Sequence, residues 1–282
     1  MFIDSHTHLN ISPLREARQK HLEDFIQIWG NWISIIATNF EDNQKAVEIA
    51  TQARNIYPNL HIWATMGIHP SETESLASTP ELLQSTQEKL EDILSEFKEF
   101  IIWIGEIGTD MHREEYRPFS SSQKLLFKAQ CELAVKYNLP IIIHSRTDFA
   151  GTFEVLQSLE VLPRNVYFHC WGYQPSELEI LKDRLDKQST TTQLFIGFCG
   201  NISYPKAQEL RDSFQYCLDH DIKTLIETDA PFLAPQAIRG QINTPANIVH
   251  TYTYISEYFG IQPEKLQDTI YNNFMELYFP KV

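Results

Sequence analysis

The stretch Pro140-Ile141-Ile142-Ile143-His144-Ser145-Arg146 decides how this chain is to be read: a short β-branched run that stops on a histidine. Bounded by a proline before it and polar residues after it, such a run is a strand pattern. Comparable runs rich in Ile, Val, Phe and Trp occupy residues 2–6, 32–38, 61–66, 101–106, 166–169, 194–198 and 224–227, which with 140–144 makes eight. Segments of helical period fall between and after them, over residues 43–55, 80–97, 122–137, 152–159, 177–185, 206–219, 246–258 and 263–278. Eight strand–helix units in a chain of 282 residues predict an α/β protein whose parallel strands close into a (β/α)8 TIM barrel rather than an open sheet. Residues 1–282 are expected to form one such domain. The second strand and the stretch before it, 11–29, carry the weakest pattern.

Composition narrows the function. The chain is 43% hydrophobic, enough for a sizeable core, and has no uninterrupted apolar run of membrane-spanning length. Met1 leads straight into Phe2-Ile3-Asp4-Ser5-His6 without the basic and apolar regions of a signal peptide. The four cysteines (Cys131, Cys170, Cys199, Cys217) are scattered, which fits reduced thiols in a cytoplasmic protein better than a disulfide framework or a zinc knuckle. A formal charge of −14 argues against a passive nucleic-acid-binding surface. It argues less against a metal-dependent nuclease, because bound divalent cations would reverse the field locally.

The chemistry-bearing residues fall at the ends of the strand-like runs. His6 and His8 end the first, Glu106 the fourth, His144 the fifth, His169 the sixth and Asp229 the eighth. In a parallel barrel the carboxyl ends of the strands meet on one face, where active sites are built, so these six residues converge on one rim. Singly, each has an ordinary explanation: a histidine capping a strand, an acidic residue opening a loop, a turn-forming Asp before Ala230-Pro231. Jointly they read as one metal site. Residues at i and i+2 of a strand share a face, so His6 and His8 point together. Imidazole nitrogen and carboxylate oxygen suit divalent ions such as Mg, Mn or Zn. Two ions in such a site need a bridging carboxylate. Glu106 is expected to bridge, with His6, His8 and Asp229 on one ion and His144 and His169 on the other.

The same residues carry a family resemblance. The chain resembles the TatD family of metal-dependent deoxyribonucleases in Phe2-Ile3-Asp4-Ser5-His6-Thr7-His8-Leu9, Gly67-Ile68-His69-Pro70, Gly105-Glu106-Ile107-Gly108-Thr109-Asp110, Pro140 to Arg146, His169-Cys170 and Glu227-Thr228-Asp229-Ala230-Pro231-Phe232-Leu233-Ala234-Pro235. The match spans nearly the whole chain in order. It implies a barrel with one or two divalent metals that hydrolyses DNA phosphodiesters, acting on ends or damaged strands. The chain differs from the family near the substrate, with Trp171-Gly172-Tyr173 after His-Cys and Gln241-Ile242-Asn243-Thr244-Pro245 after Arg239-Gly240, and so has fewer positive charges at the rim.

Around the ligands, Arg146 and Arg113 are candidate phosphate-binding residues. Glu227 and Asp4 are candidate partners of the ligand histidines, and His69 reads as a loop histidine rather than a ligand. Trp171, Tyr173, Tyr204 and Phe232 are placed to stack bases or to pack as lids. Cys170, by strand alternation, reads as a core thiol. The expected reaction is in-line attack on a phosphodiester by a metal-activated water, with Asp229 taking its proton and single-stranded DNA or DNA ends as substrate. No membrane and no obligate protein partner are expected. The alternative is an amidohydrolase-type enzyme acting on small amides, lactones or esters. Glu106 stands where many of those enzymes carry a modified lysine, which favours the nuclease.

Overall fold

A computed structural model of the protein describes residues 1–189 and 191–279. Eight strands form one parallel sheet in sequential order: β1 (Phe2–Thr7), β2 (Gly30–Ile35), β3 (His61–Met66), β4 (Ile101–Asp110), β5 (Ile141–Arg146), β6 (Asn165–Phe168), β7 (Gln193–Phe198) and β8 (Lys223–Ile226). Helices lie between them, so the chain is the (β/α)8 barrel its pattern predicts. Ile104, Ile142, Tyr167, Phe195 and Ile226 are buried in or against the strands, with Trp103 and Phe274 among the largest buried side chains. None of the described helices is long and apolar enough to cross a membrane.

Helix starts follow local chemistry. Asn39 Oδ1 accepts from Asp42 N at 3.0 Å ahead of the helix Phe40–Ile56. Thr79 Oγ1 accepts from Leu82 N ahead of Pro80–Phe97, where Pro80 occupies the first turn and has no amide to leave unpaired. Asp148 caps Phe149–Ser158 by accepting from Gly151 N at 3.2 Å. The helix Arg18–Gln27 was not in the predicted set. It buries only Leu22 and Phe25, so its apolar stripe is too thin to read from sequence. β2 begins and ends earlier than expected. Trp29 turns with φ 68°, and Gly30 packs so closely on Phe25 that a Cβ would lie 2.5 Å from its ring.

β4 corrects a second expectation. Glu106 does not end the strand, which continues to Asp110 and keeps pairing with β5 through Gly108 opposite His144 and Asp110 opposite Arg146. Gly108 makes this approach possible: its φ is +144°, and a Cβ there would sit 1.9 Å from the His144 carbonyl oxygen.

The barrel closes between β8 and β1 at its C-terminal end. Asp229 N donates to His6 O at 2.9 Å and His8 N to Ala230 O at 2.8 Å. Below these, Ser5 Oγ donates to Ile226 O at 3.1 Å. The buried Asp4 carboxylate accepts from Thr228 N at 2.9 Å and Thr228 Oγ1 at 2.6 Å. Backbone bonds and buried side chains together complete the seam where the β8 ladder has ended.

Candidate metal centre

The seam and the neighbouring strand ends bring all six predicted ligands together. His6 lies within β1 and His8 one residue beyond it; His144 is two residues before the end of β5 and His169 immediately follows β6. Asp229 follows β8 by three residues with φ 52°, a left-handed backbone that Asp tolerates better than most side chains.

Glu106 sits at the centre, with its two oxygens facing different partners. Oε2 is 3.6 Å from His6 Nε2 and 3.8 Å from His8 Nε2. Asp229 Oδ1 is 3.7 Å from His6 Nε2 and 3.3 Å from His8 Nε2. Oε1 is 2.7 Å from both His144 Nδ1 and His169 Nε2, which are themselves 3.2 Å apart. His6 stacks on His169 with ring centroids 4.0 Å apart.

The two sides test differently for a metal. On the His6 side only His8 Nε2 and Asp229 Oδ1 come within hydrogen-bond distance, and both ring nitrogens of the fully buried His6 lack a hydrogen-bond partner. Leaving such a group unpaired costs about 1–3 kcal/mol. Ligands each about 2.0–2.2 Å from a common ion stand about 3–3.5 Å from one another, close to the 3.3–3.8 Å spacing seen here. On the His144 side, protons do the joining. Burial alone would lower the His169 pKa, yet Glu106 and then Glu227 hold it well above the usual histidine value. Burial would raise Glu106, but His169, His69 and His144 hold it well below the usual carboxylate range. A cation of higher charge can replace those protons. The residues therefore fit a metal on both faces of Glu106.

Further residues complete the surroundings. Asp110 Oδ2 lies 3.2 Å from His144 Nε2 and orients that ring. His69, expected as a loop histidine, instead lines the site: its Nε2 is 3.8 Å from Glu106 Oε1 and its ring packs edge-on against His144 at 4.4 Å. Burial, reinforced by His144, pushes its pKa down to about 3, so it is neutral. Asp110, which shares strand parity with Glu106, joins the site because β4 runs four residues past the end expected at Glu106.

Glu227 is wholly buried under His169, with Oε1 3.6 Å from His169 Nδ1. The same oxygen accepts from Cys170 N at 2.6 Å and from the Cys199 thiol at 3.0 Å, while Oε2 accepts from Tyr167 OH. Gly197 opens the space, since a Cβ there would lie 2.6 Å from Tyr167 OH and 2.7 Å from Glu227 Oε2. Burial would raise the Glu227 pKa, but His169 and His6 bring it down to about 2.

The rim is sparser than expected. Arg146 is exposed and shares parity with His144. Arg113 is exposed and lies 3.6 Å from Glu115. Among the described residues neither guanidinium contacts the cluster. Trp171 is buried and donates to Ser213 Oγ, and Tyr173 OH bonds Ser145 and the Asp148 amide, so both pack as lids. Phe232 alone of the four aromatics is more than half exposed.

A (β/α)8 barrel that gathers buried histidines and carboxylates at its C-terminal mouth has the architecture of a metal-dependent hydrolase. Comparison with known proteins makes the assignment specific. The chain belongs to the TatD-related DNase family, whose match covers residues 3–279. It is 28% identical over 280 residues to an uncharacterized metal-dependent hydrolase of Mycoplasma genitalium, covering 99% of each chain. It is also 28% identical over 254 residues to the 3'-5' ssDNA/RNA exonuclease TatD of Escherichia fergusonii, covering 88% of this chain and 87% of that one. In structure it resembles the TatD homologue YjjV of Escherichia coli K12, with a TM-score of 0.80 at 24% identity over 98% of this chain and 97% of that one. The protein is a metal-dependent hydrolase of the TatD family.

Proposed function

We propose that this hydrolase is a deoxyribonuclease that shortens single-stranded DNA from an end by hydrolysing phosphodiester bonds, with two divalent ions (Mg, Mn or Zn) as cofactors. The observation that carries this reading is Glu106, whose two oxygens face separate histidine pairs. His6, His8 and Asp229 would hold one ion, His144 and His169 the other, and Glu106 both. Ions bound there would lower the pKa of water and polarise a phosphoryl oxygen.

The chain's own residues supply the rest. Asp229 is the proton acceptor for the attacking water: its side chain is 13% exposed against 4% for Glu106, so it is the carboxylate that solvent and substrate reach. Glu106 stays ionised and keeps the histidine rings in register. Asp110 fixes the His144 ring from its far side, and the Glu227 carboxylate attracts the His169 ring from beneath across 3.6 Å. Arg146, on the strand that carries His144, balances charge on the scissile phosphate. Arg113 exchanges Glu115 for a phosphate farther along the strand. Phe232 offers an exposed ring to an end base.

The test is turnover of an end-labelled single-stranded oligonucleotide in Mg, Mn or Zn, comparing the natural protein with Glu106→Ala. Metal-dependent shortening that falls more than about 100-fold in the variant supports the reading, since loss of a shared ligand should exceed the 10–100-fold typical of an outer partner. No shortening by folded, metal-loaded protein overturns it and directs the search to amides, lactones and esters.

A further inference from the structure

Two thiols meet beneath the His169 side of the site. Cys170 follows β6 and Cys199 follows β7, neighbouring strands in which Phe168 pairs with Ile196. The two Sγ atoms and a Glu227 oxygen all lie within 4.8 Å of one another. One oxygen, Glu227 Oε1, accepts both the Cys199 thiol and the Cys170 amide. The two residues stand one position out of the β6–β7 register, and their sulfurs are close enough for side-chain rotation to bring them to a disulfide's bonding distance. Cys170 is partly exposed and Cys199 buried. The other cysteines, Cys131 and Cys217, are buried in the helices Ser120–Lys136 and Gln208–Asp219.

We propose that Cys170 and Cys199 form a reversible dithiol–disulfide pair, oxidised by a hydroperoxide, whose closure loosens the grip of Glu227 on His169. The accessible Cys170 attacks first. Its sulfur, as the thiolate, takes one peroxide oxygen; the O–O bond breaks, the other oxygen leaves as hydroxide or alkoxide and collects the thiol proton, and Cys170 becomes a sulfenic acid. The Cys199 sulfur then attacks the Cys170 sulfur. The S–S bond forms as the S–O bond breaks, and the Cys199 proton passes by way of Glu227 to the departing hydroxide, which leaves as water. Two thiols have lost two electrons and two protons, and the peroxide has taken them up. The Cys199 thiol then no longer donates to Glu227. The contraction of the sulfurs pulls on Cys170, the residue next to His169. This control requires the site to hold metal but is independent of the substrate.

Metal-loaded full-length protein is treated with hydrogen peroxide, denatured, and assayed for free thiols and by peptide mapping, with metal affinity measured in parallel by equilibrium dialysis. Titratable thiols should fall from four to two, with a cross-link joining the peptides of Cys170 and Cys199. Affinity should fall about 10-fold or more, the scale of disturbing a ligand's outer partner, and dithiothreitol should restore both. Cys199→Ser, and Cys199→Ala as a second form, should abolish the cross-link and leave Cys170 as a sulfenic or sulfinic acid. Four free thiols after oxidation, or over-oxidised Cys170 beside free Cys199 in the natural protein, would overturn the pairing. A complete cross-link with unchanged metal affinity would overturn the coupling.

Discussion

Replacing Glu227 by Gln keeps the shape of the side chain and removes its charge, and the structure separates the two consequences. Glu227 Oε1 receives the Cys170 amide and the Cys199 thiol, so the amide oxygen of Gln takes that position. The new NH2 then faces Tyr167 OH, which now donates to Glu227 Oε2 and lies 2.9 Å from Ser5 Oγ. Tyr167 can turn its proton to Ser5 and accept from the amide. The second amide hydrogen gains no such partner in this fully buried position, so the stability cost should be about 1–3 kcal/mol. The charge is not replaced. His169 Nδ1, 3.6 Å from Glu227 Oε1, loses the carboxylate that makes Nε2 a better donor. Metal affinity should therefore drop about 10–100-fold, or about 1.4–2.8 kcal/mol. Isothermal titration with Mn, beside thermal unfolding of the metal-free protein, reads both quantities. An affinity within twofold of the natural protein would refute the role given to Glu227.

Three other outcomes follow from the same geometry. Gly108→Ala forces a Cβ to 1.9 Å from a backbone oxygen at φ +144°, so β4 and β5 must part; we expect a loss of about 3 kcal/mol or more by denaturant unfolding, and a loss under 1 kcal/mol would show that the strands do not need this contact. For the metal-free protein, the folded-state pKa values of His169, His144 and His8 are raised, so their stabilisation is present below the unfolded value of 6.5 and lost as pH rises through the folded values. Those of His6 and His69 are lowered, so their contribution is present above 6.5 and lost as pH falls. Stability of that form should peak near pH 6.5 and decline on the alkaline side, while metal affinity climbs with pH because binding expels protons; a metal-free melting temperature still rising from pH 7 to 9 would contradict this. Arg146→Ala should raise KM for an oligonucleotide about 10-fold and flatten its salt dependence, and Arg113→Ala should do so more weakly; equal effects from both would mean that Arg146 has no special place at the scissile phosphate.

How much of this was legible in the sequence depended on whether local pattern or tertiary closure set the feature. β3, Pro80–Phe97 and Pro263–Tyr278 fall at their predicted bounds because apolar pattern marks all three locally and a leading proline marks the two helices. The convergence of the six candidate ligands was legible because barrel topology turns strand ends into neighbours. Arg18–Gln27 was hidden by its thin apolar face. Asp110 was hidden by the length of β4: a strand that runs on past Glu106 carries it to His144, and no run of residues announces that continuation. His69 lies three residues past β3, ahead of the short helix Pro70–Glu72, where no strand pattern aims it. The burial of Trp171 and Tyr173 follows from packing between loops, which short-range pattern does not record.

The closing seam and the metal site occupy the same ground, and this ties stability to function. β8 ends at Ile226, so past that point the barrel is held shut by Asp4 on Thr228, by the Asp229 amide on His6 and by the His8 amide on Ala230. Two of those links run through residues that also face Glu106. Burial, opposed by its bonds to Thr228, pushes the Asp4 pKa up to about 8, so without a cation nearby the seam holds a carboxyl that is largely protonated at neutral pH. A cation held by His6, His8 and Asp229 would favour the ionised form of Asp4, which accepts both Thr228 donors without competition. It would at the same time draw β1 and β8 together with β4. Metal binding is then also closure of the barrel, and its free energy adds to that of folding.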